Sequence, residues 1–166
     1  MTVDTVKEIE LKTHPFVTYL LNRIHNDTGF TAALKRADNP ATEYQSWEFL
    51  APWCELNNSI KRKVYATIAA AVAHEKPLKD GYLRLGRAIA SSYDDGNNSD
   101  AAKAKLRRLI ACDSIEEVCS VLRSLLRLIQ SRGIAVNYSE LLKDLLYYGE
   151  NTRVKWASEF YGRREE

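Results

Sequence analysis

Between Ile115 and Ile129, the apolar residues Ile115, Val118, Leu122, Leu125 and Ile129 fall three, four, three and four positions apart. An α-helix brings residues at that spacing onto one face, whereas a strand would send neighbours to opposite sides. The same period recurs in Phe16, Val17, Leu20, Leu21 and Ile24, and again in Ile60, Val64, Ile68 and Val72. A chain patterned this way can bury its apolar residues only by packing helix on helix. No run alternates apolar and polar residues between hairpin turns. The TPR, HEAT and ankyrin patterns are also absent. The expected fold is all-α, with roughly eight to nine helices.

Caps and breakers mark where these helices start and stop. Thr13-His14-Pro15 opens the first clear helix, with proline in its first turn, and Asn26 to Gly29 ends it. A short helix, "TAALKRA", stops at Asn39-Pro40, and "ATEYQSWEFLAPW" reads as an aromatic-rich helix broken near Pro52. Asn58-Ser59 caps "IKRKVYATIAAAVAHE", whose alanines allow close packing; "KPLKDG" is a turn and "LRLGRAIAS" the fifth helix. "AAKAKLRRLIA" follows. Ser114 and Glu117 then make an S-x-x-E capping box before the next helix, which Gly133 stops. Asn137 and Ser139 are alternative caps for "ELLKDLLYY", and Gly149 ends that helix. The last is "TRVKWASEFYG", with Val154, Trp156, Ala157 and Phe160 available for burial.

With 166 residues, 45% of them apolar, the chain can build one domain or two small ones. The division adopted is an N-terminal helical subdomain over 1–80 and a C-terminal helical bundle over 81–166. The most linker-like stretch, "SYDDGNNSD", lies nearby.

Little in the sequence points to catalysis. There is no glycine-rich phosphate loop, no H-E-x-x-H and no G-x-S-x-G. His14, His25 and His74 lack metal-ligand spacing, and Cys54, Cys112 and Cys119 form no C-x-x-C pair. Cys112 and Cys119 read as small buried apolar groups. Asp94-Asp95 falls in the linker, and Glu116-Glu117 in a helix's first turn, where the dipole favours anions. The sparse cysteines, and the lack of a signal-like or membrane-spanning run, give an expectation of a cytoplasmic protein without membrane contact. No enzyme activity, cofactor or metal is expected.

The basic residues are unevenly placed. Residues 1–80 carry ten Lys/Arg and ten Asp/Glu. Residues 101–132 carry seven basic residues (Lys103, Lys105, Arg107, Arg108, Arg123, Arg127, Arg132) against Asp113, Glu116 and Glu117, a local excess of four. Lys103 and Arg107 are four apart on one helix, as are Arg123 and Arg127 on the next. Each pair spans about 6 Å along its axis, a reach suited to neighbouring phosphates of a single strand. Arginine's planar fork can hold a phosphate bidentately. The same arrangement also describes an ordinary solvated helix face. Aromatic residues fall mostly on the apolar periodicities, and no stacking platform for bases stands out.

Read in order, "LGRAIASS", a basic helix ending "LRRLIACD", "VLRSLLRLIQ" and "ELLKDLLYYGENTRVKWASEF" resemble CasB, the small-subunit family of the type I-E CRISPR surveillance complex Cascade. The resemblance covers the C-terminal half well and the first half more loosely, through "ALKRA" and the aromatic stretch leading to "APW". It implies an all-helical, non-catalytic subunit of antiviral defence, with two helical subdomains. Two copies of such a subunit line the inner face of Cascade, beside the backbone and large subunits. The implied partners are therefore those subunits, a second copy of the chain, guide RNA, target DNA and the displaced single-stranded DNA of the R-loop. By position, Arg87 matches the arginine of the family's G-R-A motif, and Lys35 and Arg36 match an N-terminal basic pair. Arg123 matches the first arginine of L-R-x-L-L, and Arg153 a basic residue after the "YYG" turn. Arg107 and Arg108 lie on the matching basic helix. The chain departs from its relatives at Ala111, Ser124 and Glu150-Asn151, where they can carry basic residues. Arg127, one turn beyond Arg123, can compensate.

Gly86 stands between Arg84 and Arg87, which would share a face if all three were helical. Lacking a Cβ, Gly86 would let a neighbour approach at the seam between the two halves. Arg87 would then project from a fixed place. The alternative for Arg87 is an ion pair that holds the halves together. For the whole chain, the alternative is an all-helical protein–protein interaction scaffold whose basic stripes meet acidic protein surfaces and no nucleic acid.

Overall fold

The computed structural model describes residues 3–162, with side chains from residue 13 onward. Among these residues the fold is all-α: nine α-helices, two short 3₁₀ turns and no strand. The helices are α1 (Val3–Ile24), α2 (Thr28–Lys35), α3 (Trp47–Leu50), α4 (Ser59–Glu75), α5 (Leu85–Ser91), α6 (Asp100–Ile110), α7 (Ile115–Ser131), α8 (Tyr138–Leu146) and α9 (Glu150–Tyr161). They form two compact units. One contains residues 1–80 and 138–146; the other contains 81–137 and 147–166.

In the first unit, α4 packs against α1, α2, α3 and α8. Its residues Val64 to Ala73 are all buried, so α4 is enclosed on every side. Alanines at 66, 69, 70, 71 and 73 make that possible, because small side chains let surrounding helices approach. Ile60, expected on the same stripe, is 48% exposed: it lies in the first turn, before the helix enters the core. Asn58 caps α4 as anticipated, its Oδ1 accepting from the Lys61 N–H at 3.1 Å.

Several boundaries differ from expectation. α1 begins at Val3 and runs through Pro15, so Thr13 does not open it. Val3, Val6 and Ile9 extend the helical spacing upstream, and the proline costs one rung of the backbone ladder without ending it. Asn26 to Gly29 is not simply a terminator, because Asp27 caps α2 and Gly29 lies inside it. The Asp27 carboxylate accepts from the Phe30 N–H at 2.9 Å. That bond, followed by Arg23 at 3.0 Å, holds its pKa below the ordinary carboxylate value. The aromatic segment is not one helix but a 3₁₀ turn, Glu43–Ser46, followed by the single turn α3.

α8 is capped from a distance. Asn137 and Ser139 were the expected caps; from outside that segment, Asp80 accepts from the Tyr138 N–H at 2.7 Å and from the Ser139 N–H at 3.2 Å. The Ser139 hydroxyl donates to the same carboxylate at 2.7 Å. The Tyr138 phenol, buried beside them, donates to Glu75 at the end of α4.

The second unit assembles α5, α6, α7 and α9. Its two chain crossings lie side by side: Leu83 bridges Val136, and the Asn137 N–H reaches the Leu83 carbonyl at 2.8 Å. Leu83 and Arg84 therefore precede α5, and the shared helical face proposed for Arg84 and Arg87 does not form. Ser99 caps α6 through the Ala102 N–H. Ser114 caps α7 through the Glu117 N–H at 3.2 Å, while the Glu117 carboxylate reaches back to the Asp113 N–H, one residue upstream of the usual box partner. Gly133, at φ +73°, closes α7. α8 stops at Leu146, so Gly149 does not end it but opens α9. On α9, Trp156 and Phe160 are fully buried, and Thr152 is buried in place of Val154, which is 58% exposed.

Candidate nucleic-acid interface

Charge in the second unit is organised by the inward faces of α6 and α7. On α6, Ala102, Leu106 and Leu109 point into the core. Successive residues turn about 100°, which puts Lys103 and Arg107 on one flank and Arg108 on the other. Arg107 and Arg108 are exposed and Lys103 is half-buried. On α7, the buried set is Val118, Cys119, Leu122, Leu125, Leu126 and Ile129. Arg123 and Arg127 occupy the opposite side and are exposed, with Glu116 and Ser120 preceding them on the same line. Since α6 packs against α7, four exposed arginines stand on two adjoining helices.

The other sequence candidates are placed differently. Lys35 and Arg36 end α2 in the first unit, where the Arg36 guanidinium donates to the Gln45 side chain at 3.0 Å. Arg87 donates to the Gly162 carbonyl at 2.9 Å, tying α5 to the end of α9. Arg153 is more heavily engaged. Its Nη2 donates to the Cys112 carbonyl at 2.6 Å and its Nε to the Tyr148 hydroxyl at 3.1 Å. Tyr148 donates to that same Cys112 carbonyl at 2.8 Å. Tyr148 was not singled out from sequence, because nothing local separates it from Tyr147 and its partner lies far upstream.

Gly86 has the close neighbour its presence implied, but not at a seam between halves. A Cβ there would stand 2.2 Å from the Trp156 carbonyl oxygen and 2.8 Å from the Phe160 nitrogen. Both belong to α9 of the same unit. The Gly86 N–H donates to the Glu159 carboxylate at 3.1 Å.

A shallow depression of about 330 Å³ lies where α6 meets α7, lined by Arg108, Ala111, Cys112, Glu117, Ser120 and Val121. Burial first, and the Glu117 carboxylate second, push the Cys112 thiol above its ordinary pKa, opposed by Arg108 and Arg153. Cys54, Cys112 and Cys119 are all buried, and none is joined in a disulfide. Among the described residues, no three His, Cys, Asp or Glu side chains gather to hold a metal. No described helix is long and apolar enough to cross a membrane. The arrangement presents fixed cations on a helical scaffold.

The family model described as CRISPR-associated protein Cse2 matches residues 31–161. None of the curated proteins matches the chain. Among solved structures, the fold is similar to CasB from M. ruber, with 26% identity, a TM-score of 0.71, and 90% of this chain and 92% of that one covered. It is also similar to a Cse2-family protein from Thermus thermophilus, at 20% identity and a TM-score of 0.73, covering 91% of this chain and 98% of that one. A chain of a CRISPR RNA-guided surveillance complex aligns at 20% identity with a TM-score of 0.74, covering 92% of this chain and 93% of that one.

Proposed function

Because this chain belongs to the CRISPR-associated Cse2 family, as its CasB-like motifs anticipated, we propose that it is the non-catalytic, nucleic-acid-binding small subunit of a type I-E Cascade. In this role it sits beside the backbone and large subunits and a second copy of itself. It supports guide RNA and target DNA and holds the displaced strand of the R-loop. The observation that carries the reading is the outward placement of Arg107, Arg108, Arg123 and Arg127 on two adjoining helices of a family member.

The physical role follows from the energetics of strand exchange. A guide–target hybrid is about as stable as the duplex it replaces, so contacts to the nucleic-acid backbone tip the balance. Cations that capture the displaced strand disfavour reannealing. They need no base reading, because every strand offers the same phosphates. The core of each helix fixes where its arginines stand, so the charges need little reorganisation on binding.

The test is binding of single-stranded DNA at low and moderate salt, for wild type and for Arg107→Glu, Arg123→Glu and Arg127→Glu variants. Affinity should fall with salt and with each reversal. Binding indifferent to salt and to these charges would defeat the reading in favour of a protein-only scaffold. A purified assembly containing protein partners and no RNA would point the same way.

A further inference from the structure

The carbonyl of Cys112 sits at the corner between the two helices that carry the exposed arginines. It lies two residues past the last residue of α6, whose final turn holds Arg107 and Arg108, and two residues before Ser114, the cap of α7. That single oxygen accepts from both the Tyr148 hydroxyl and the Arg153 guanidinium, which also bond each other. The Arg153 guanidinium stacks over the Tyr148 ring, 5.6 Å from its centroid. The Tyr148 ring packs in turn against Trp156, which is fully buried. The corner is thus braced from the core through two side chains of the α8–α9 connection and the first turn of α9.

We infer that Tyr148 and Arg153 are positioning residues, which set the α6–α7 corner and hence the spacing of Arg107 and Arg108 relative to Arg123 and Arg127. This inference rests on the proposed function for its consequence, but not for its geometry. It reassigns Arg153, whose sequence position suggested direct contact with nucleic acid. A phosphate needs only a nearby positive charge, which lysine also supplies. The brace needs a planar fork that reaches the Cys112 carbonyl and the Tyr148 hydroxyl together, which lysine cannot supply.

The experiment compares full-length wild type with Tyr148→Phe and Arg153→Lys, both of which keep size and, for the second, charge. The probe is a fluorescent oligothymidine strand at low salt. Each variant should bind about three- to tenfold more weakly, the consequence of one or two lost hydrogen bonds at the corner. The pair combined should lose little more than either alone. In an Arg107→Glu, Arg108→Glu background, neither change should weaken binding further. A second readout is independent of nucleic acid: in a Cys54→Ala, Cys119→Ala chain, both variants should speed the reaction of the buried Cys112 with a thiol reagent. Wild-type affinity in Tyr148→Phe and in Arg153→Lys would overturn the inference, as would an undiminished effect in the charge-reversed background. Unchanged Cys112 labelling would overturn the brace itself. Should Arg107→Glu, Arg108→Glu leave binding intact while Cys112 labelling still accelerates, the proposed function fails and the brace stands.

Discussion

Gly86 is held by van der Waals distance rather than by backbone freedom. A methyl group there would meet main-chain atoms of α9, at 2.2 Å from one oxygen, and main chain cannot swing aside as a side chain can. Gly86→Ala should therefore destabilise the chain by about 1–3 kcal/mol or more, read as a lower denaturation midpoint with an unchanged slope. Gly81 is a second such position, since its missing Cβ would stand 2.5 Å from Ala135 and Val136 main-chain atoms at the chain crossing. The sequence flagged Gly86 because a glycine within an apolar stripe carries a cost that something must offset. It did not identify α9 as the neighbour, which lies about 70 residues away (73 to Glu159). The candidate arginines divide in the same manner. Arg107, Arg108, Arg123 and Arg127 are exposed because helical period alone turns them away from the apolar residues of their helices. Arg87 and Arg153 bond main-chain carbonyls brought close by tertiary packing, and no local spacing announces that.

Among the helices, local capping was readable and remote capping was not. Asn58 and Ser114 cap α4 and α7 because each side chain reaches an N–H three residues on. Asp80 reaches α8 across 58 residues, a partner that a local reading around Asn137 and Ser139 could not name. Asp80→Ala should cost about 1–2 kcal/mol, measured by chemical denaturation and by faster amide exchange in the first turn of α8. Beside that cap, burial raises the Glu75 carboxyl above its ordinary 4.5, with Asp80 adding to the rise and the Tyr138 hydrogen bond opposing it. A carboxyl with a raised folded pKa binds its proton more tightly in the native state than in the unfolded one. Stability is then lost as pH climbs from about 4.5 through the raised value, and recovered as pH falls. Glu75→Gln cannot ionise and still offers Tyr138 an acceptor. Its stability relative to wild type should rise across that window and level off above it, in denaturation curves taken at stepped pH.

For the molecule entire, the predicted consequence is a salt dependence. Each phosphate neutralised on a single strand contributes about 0.7 to the slope of log affinity against log salt. Neutralising Arg107, Arg108, Arg123 and Arg127 together should flatten that slope by about 3 if all four meet phosphates. Binding titrations at several salt concentrations on the assembled complex measure it. The chain path adds a constraint on folding. Residues 138–146 return to the unit built from residues 1–80, so that unit is completed only after the intervening residues 81–137 have been made. Asp80 and Tyr138 bond at the point where the path departs and returns. Such non-local closure carries a loop-entropy cost that local helix pairing avoids.

Helical period was enough to establish an all-α chain, to mark the buried stripes of α1, α4 and α7 and to select the outward arginines of α6 and α7. Each of those depends on residues within one or two turns of each other. The far cap of α8, the reason for Gly86, the burial of Thr152 in place of Val154 and the engagement of Arg153 came from packing. Each joins residues distant along the chain, or depends on which helix covers a given face. An amphipathic stripe says that a helix must be covered, but leaves open by what.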